Sequence, residues 1–359
     1  MRKLASVQKI KNIEPIEDAD RIELAHVLGW QVVVQKGQFK KGDYCVYFEI
    51  DSFLPVDPRF EFLRASSYRN SELLGEGFRL KTQKLRGKVS QGLIMPCAEF
   101  PELWYDPIEH MNCVVPSEGQ DVTELLGIRK WEEPERATSD GTAIGGLPYD
   151  IPKTDELRVQ AEPGLIQEFA GLEYYITTKM DGTSCSVSFD ENGFHVTGHN
   201  YEYKDDDSSD FYKFVKKRGF EKCITDYMKN HLCVKKIAIQ GEFCAPGIQK
   251  NRLKLKEPEW YIFTVRVNGE RVSLDDMSHI ITFYFPEFKM VPVEERGIDL
   301  PSKYPTVESL LERADGEYPN GGKKEGIVIR PVKPVQSKIL GDYLSMKVVN
   351  NKYLLKHGD

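Results

Sequence analysis

EYYITTKMDGTSCSV, residues 173–187, joins two β-prone runs through a lysine and a tight turn. Tyr174, Tyr175, Ile176 and Thr177 are aromatic or β-branched, the residue types that suit a pleated, half-buried strand. They deliver Lys179 into Met180-Asp181-Gly182, and a second strand-like run follows at Cys185-Ser186-Val187. Lysine is among the residues least often buried. Lys179 is therefore either a solvated charge on a hairpin turn or a nucleophile held at the floor of a pocket. Gly182 is expected to permit a left-handed turn that aims the side chain.

Further strands are predicted near 174–178, 185–189, 194–198, 234–243, 259–267, 326–330 and 343–348, with a turn at Asp190-Glu191-Asn192-Gly193. The stretch 209–232 has helical spacing: Phe211, Phe214, Val215, Ile224, Tyr227 and Met228 form an apolar stripe that Gly219 interrupts. The second half of the chain thus reads as α+β. Residues 1–98 read as all-β, with runs such as AHVLGWQVVVQK and DYCVYFEID separated by turns, which suits an OB-like barrel. Residues 99–150 change character, and 132–152 is dense in Pro, Gly, Ser and Glu. The expected layout is an OB-like module over 1–128, a linker over 129–150 and an α+β domain over 151–359.

With 359 residues the chain is long enough for two domains, and 40% hydrophobic and 29% charged residues are ordinary for a globular protein. No stretch approaches the roughly 18 apolar residues of a membrane helix. The start, MRKLASVQKI, has no apolar core, so no secretory signal is expected. Seven cysteines without a CxxC pair argue for a reducing, cytoplasmic setting and against structural zinc. The net charge of −7 hides a partition. FRLKTQKLRGKVSQG carries Arg79, Lys81, Lys84, Arg86 and Lys88 with no acid, whereas 205–210 is acidic. In an OB-like module such a cationic run suits a nucleic-acid backbone. GQFKKGDY and GGKKEG do not have phosphate-loop spacing.

Four stretches place a charge at the edge of a β-prone run: Lys179-Met-Asp181-Gly182, Ile239-Gln-Gly-Glu242-Phe, Glu325-Gly-Ile-Val-Ile-Arg330 and Ser345-Met-Lys347-Val-Val. Together with Trp260-Tyr-Ile-Phe263 they form an ordered set over about 170 residues. This set resembles the covalent lysyl-nucleotidyltransferases, which comprise DNA ligases, RNA ligases and mRNA capping enzymes. Only twelve residues follow Lys347, so no C-terminal OB domain is expected, and the β-rich module lies first. That order is similar to the fifth family of ATP-dependent RNA ligases, the Deinococcus/Naegleria type. The resemblance spans nearly the whole chain and adds Arg158, in Glu-Leu-Arg158-Val, as the family's upstream arginine.

The resemblance implies an N-terminal OB module that binds RNA and an adenylyltransferase domain. Lys179 would attack ATP to give lysyl-AMP, the AMP would pass to an RNA 5′-phosphate, and a 3′-OH would displace it. Lys347 and Arg158 would contact phosphate. Asp181, Glu242 and Glu325 are hard oxygen donors suited to Mg²⁺ or Mn²⁺ held through water, with Glu242 alternatively on the ribose. Phe263 would stack on adenine, and Gly182 would shape the turn. A monomer is expected. Three positions depart from the family pattern: Thr178 stands where many members have Glu, Ser345 where many have Lys, and His199 where many have Arg. A free lysine has a pKa of about 10.4, so roughly one in a few thousand is neutral near pH 7. The site must therefore adjust that balance. Competing functions are capping, DNA sealing, or non-catalytic nucleic-acid binding.

Overall fold

The computed structural model describes residues 2–104, 115–131, 143–148, 151–206 and 209–357. The chain divides into two compact units, one of Met1–Pro134, Gln160–Pro163 and Asn351–Asp359, the other of Glu135–Val159 and Gly164–Asn350. This differs from the expected layout at its C-terminal end. The helix Asn351–His357 groups with the N-terminal unit, and its Tyr353 and Leu354 side chains are almost completely buried. Gln91 Nε2 also donates to Asn351 Oδ1 at 3.2 Å. The expected linker is structured at both ends: Arg129–Lys130 pairs with Ser52–Pro55, and Ala143–Gly146 pairs with Tyr201–Tyr203. Most of what lies between falls outside the described residues.

In the first unit, Ala5–Lys9, Tyr44–Phe48 and Leu93–Pro96 form one antiparallel sheet, and Asn12–Pro15, Ile22–Val27 and Trp30–Gln35 another. Alternation along Trp30–Gln35 buries Trp30, Val32 and Val34 and leaves the intervening residues more exposed. Val7, Val46, Phe48, Leu54, Phe60, Phe78 and Phe100 share one core. The pair Gln83–Leu85 and Lys88–Ser90 forms a separate hairpin. Its turn residues Arg86 and Gly87 have φ of +46° and +81°, the left-handed pair that a two-residue hairpin turn demands.

The second unit holds two sheets. The larger runs, in spatial order, Ala143–Gly146, Tyr201–Tyr203, Gly193–Thr197, Thr183–Asp190, Ile237–Cys244, Glu259–Val267 and Glu270–Arg271, with Lys289–Met290 also on Glu259–Val267. The smaller runs Val293–Ile298, Glu173–Lys179, Gly326–Pro331 and Met346–Val349. The two runs of the opening stretch are thus not a hairpin. Glu173–Lys179 is central in the small sheet and Thr183–Asp190 central in the large one, so Met180-Asp181-Gly182 is the crossing between sheets. The helical stretch divides as foreseen at Gly219, where φ is +67°, into Asp210–Lys217 and Phe220–Asn230. Both pack on the large sheet around Trp260, whose ring meets Phe211 at 5.1 Å and Phe220 at 5.5 Å between centroids. Among the described residues no helix is long and apolar enough to cross a membrane.

Tyr353→Ala is expected to lower the stability of the N-terminal unit by about 3–5 kcal/mol, the usual cost of deleting a fully buried aromatic side chain. A denaturant midpoint unchanged from the parent would show that the C-terminal helix contributes nothing to that unit.

Candidate active site

Lys179 ends its strand opposite Gly326, and this register brings its Nζ within 2.7 Å of Glu325 Oε1. Glu242 comes from the other sheet, where it faces Ser184 in the register. Its Oε1 accepts a hydrogen bond of 3.1 Å from the Gly182 amide, so the crossing turn is fastened to the large sheet. Burial alone would lower the Lys179 pKa, but Glu325 and Glu242 outweigh it and hold the ammonium above its usual range. Burial pushes the Glu242 carboxyl up to about 8; Lys179 opposes that rise and Glu325 adds to it.

Lys347 and Arg158 are placed side by side by backbone pairing. The Lys347 amide donates to Leu157 O at 2.9 Å, and the Val159 amide donates to Lys347 O at 3.0 Å, making a parallel bridge with Arg158 between. Arg158 is buried. Lys347 Nζ pairs with Asp155. Burial pulls the Lys347 pKa down, and the positive charges of Lys179 and Arg158 add to that fall against the opposing Asp155 carboxylate.

Asp181 pairs with Arg252 Nη1 at 2.6 Å and lies close enough to Glu242 to raise its pKa further. Arg252 arrives from an irregular segment in which Gln249, Lys250, Asn251 and Lys254 all have positive φ, a conformation that non-glycine residues rarely hold without support. The Asn251 side chain supplies support: its Oδ1 accepts from the Leu255 amide at 2.9 Å and its Nδ2 donates to Leu255 O at 2.8 Å. Tyr318 Oη donates to the Lys179 carbonyl at 2.8 Å and accepts from the Glu325 amide at 3.2 Å, bridging the backbones of the two paired residues.

Gly182 departs from expectation. Its φ is not in the left-handed region; the constraint is space. A Cβ there would lie 2.4 Å from Phe243 O and 2.7 Å from Cys244 Sγ. Phe263 is the extra residue of a β-bulge, since Gln240 faces Thr264 and Gly241 faces Ile262. It is half-buried beside Met180, Cys244 and Tyr318, and the Arg330 guanidinium lies 5.6 Å from its ring centroid.

The five basic residues of 79–88 belong to the other unit and divide. Arg79 stacks on Trp131 at 4.8 Å and Lys81 is half-buried, whereas Lys84, Arg86 and Lys88 are exposed on the hairpin. Because Lys84 faces Val89 and Lys88 faces Leu85, the two lysines project from opposite faces.

Among the described residues no three histidine, cysteine or acidic side chains converge into a direct metal cage. Yet Glu242 and Glu325 both face the one Lys179 ammonium, and burial with the neighbouring Glu325 charge raises the Glu242 pKa. That donor set suits a hydrated divalent ion. Of the residues singled out in the sequence, Lys179, Asp181, Glu242, Glu325, Lys347 and Arg158 lie in one electrostatic group, and their partners Asp155, Arg252 and Tyr318 were not anticipated. Only Arg252 left a signal, as one of the closely spaced cations of QKNRLKLK.

Glu325→Gln removes the negative charge nearest to Lys179, so the ammonium loses support and its pKa falls. Titration of ¹⁵N-labelled lysine by NMR checks this, and an unmoved Lys179 resonance would contradict the pairing.

The OB-fold domain family matches residues 4–97, and the RNA ligase family matches residues 172–349. No curated protein sequence matches the chain. Among solved structures, Naegleria gruberi RNA ligase with PPi is 33% identical, with a TM-score of 0.84 over 99% of both chains. A mutant of that ligase with AMP and Mn is 33% identical, with a TM-score of 0.86 over 100% of both chains. Another mutant, with ATP and Mn, gives 33% identity and a TM-score of 0.85 over 100% of both. An OB-fold domain followed by two sheets that bring Lys179, Glu242, Glu325 and Lys347 together, with full-length likeness at this identity, identifies the chain as a member of the RNA ligase family of the Naegleria type.

Proposed function

We propose that the chain is an ATP-dependent RNA ligase that joins a 3′-OH to a 5′-phosphate through lysyl-AMP and an RNA-adenylate. The observation that carries this reading is a lysine held 2.7 Å from one carboxylate, with a second lysine of lowered pKa in the same electrostatic group. In the first step the neutral Lys179 amine attacks the α-phosphorus of ATP; an N–P bond forms, the bond to pyrophosphate breaks, and the amine loses a proton. The resting ammonium must first lose a proton, for which Glu325 at 2.7 Å is the base at hand, and the proton released as the N–P bond forms leaves with pyrophosphate or to solvent. The RNA 5′-phosphate then displaces Lys179 from AMP, and the 3′-OH displaces AMP.

Lys347 and Arg158 offset the charge gathering on the transferring phosphorus. A hydrated Mg²⁺ or Mn²⁺ held by Asp181, Glu242 and Glu325 would add positive charge there and offset the carboxylates that keep Lys179 protonated. Before then Asp181 is committed to Arg252, so taking up that role means exchanging the guanidinium for the hydrated ion. Phe263 offers a face to adenine, and Gly182 keeps the turn against Phe243. The chain acts as a monomer on broken or nicked RNA, with Lys84, Arg86 and Lys88 on the RNA backbone.

Incubation with α-³²P-ATP and Mg²⁺ or Mn²⁺ should label the protein with an acid-labile AMP adduct that Lys179→Ala lacks. No adduct in the parent protein with either metal would end this account. Replacing Lys84, Arg86 and Lys88 with alanine should spare the adduct, weaken RNA joining and flatten its salt dependence by up to about three phosphate contacts. Joining with the parental salt slope would remove the hairpin from the RNA site.

A further inference from the structure

Val293–Ile298 pairs along one edge of the nucleophile strand, and the register slips there. Ile176 faces Glu295 and Thr177 faces Val293, which leaves Glu294 as the extra residue of a β-bulge. A bulge bends its strand and re-aims a side chain. Here the Glu294 carboxylate reaches under the strand that carries Lys179. Thr178 Oγ1 donates to its Oε1 at 2.7 Å. Lys324, which precedes the strand on the opposite edge, donates to both carboxylate oxygens at 2.8 and 2.9 Å. Arg313 Nη1 completes the set at 2.8 Å from Oε2.

Thr178 and Lys324 are the chain neighbours of Lys179 and Glu325, the pair that meets at 2.7 Å. Side chains alternate across a strand, so Thr178 points away from the pocket that Lys179 enters. Each member of the reactive pair is therefore backed by a residue that grips the same carboxylate from below. Lys324 is only 6% exposed along its side chain, so its ammonium depends on this partner. Burial works against the Glu294 charge, but the hydrogen bonds from Lys324, Thr178 and Arg313 outweigh it and hold the carboxyl below its usual range.

We infer that Glu294 is a positioning residue for lysine adenylylation: it clamps the strands of Lys179 and Glu325 in register and so fixes the amine where it must attack. The inference rests on the adenylyl-transfer reading above. Glu294 touches no substrate in this role and acts only through Thr178 and Lys324. A misplacement of about 1 Å in such a group can cost on the order of a hundredfold in rate.

The test is single-turnover lysyl-AMP formation with labelled ATP, whose rate constant does not depend on how much of a preparation is active. Glu294→Ala should lower the maximal rate by about tenfold or more while the half-saturating ATP concentration stays within about threefold. Glu294→Gln keeps one acceptor oxygen for Thr178 and Lys324 and should recover part of the loss. Thr178→Val should slow the reaction by about two- to fivefold in the parent and add nothing in the Glu294→Ala background, because both act on one clamp. Parental rates in Glu294→Ala and Thr178→Val would overturn the inference, as would a Thr178→Val effect that multiplies fully with Glu294→Ala. If Glu294→Ala does not fold, Glu294→Gln and Thr178→Val decide, and parental rates in both overturn it. A parent protein that forms no adduct would instead sink adenylylation itself, whatever the variants do.

Discussion

The site depends on one crossing. At Met180-Asp181-Gly182 the chain leaves the smaller sheet and enters the larger one within three residues. That crossing puts Lys179 at the end of one sheet and Glu242 at the level of the next strand in the other. It works only because Gly182 has no side chain to collide with the Phe243 carbonyl, and because the Gly182 amide finds Glu242 as its acceptor. A larger residue would lift the crossing off the strand Ile237–Cys244, at the place where Glu242 accepts the Gly182 amide.

Around that crossing, regular pairing supplies most groups and irregular pairing supplies the rest. Glu325 and Lys347 stand at or beside the register positions of neighbouring strands, so ordinary ladder geometry brings them in. Phe263 and Glu294 occupy bulges, where an extra residue breaks the alternation and turns a side chain in a direction that the ladder would not allow. Arg252 is delivered by a run of left-handed residues. Each irregularity lies at a residue that faces or braces the pocket, which fits the tendency of proteins to hold such geometry at functional sites.

This division explains what could be seen in the sequence. Strands with an apolar alternation, and the charges that interrupt them, were legible: the second-unit strands fall close to their expected spans, and the helix break at Gly219 lies where it was expected. Sheet membership was not. Glu173–Lys179 and Thr183–Asp190 look like the arms of a hairpin because they are separated by so few residues, and only long-range pairing shows that they part. Asp155 and Tyr318 carry no local signal, since their partners are distant in the chain and chosen by the fold. The C-terminal helix is short, and the sequence did not say which core would take Tyr353 and Leu354.

The ion pair of Lys179 with Glu325 has a consequence beyond the joining reaction. A neutral amine in a pocket shaped for activated phosphates would also be open to stray acyl phosphates, aldehydes and cyanate. An ammonium is not, because its lone pair carries a proton. By holding Lys179 charged against Glu325, the resting chain keeps this amine largely closed to such electrophiles.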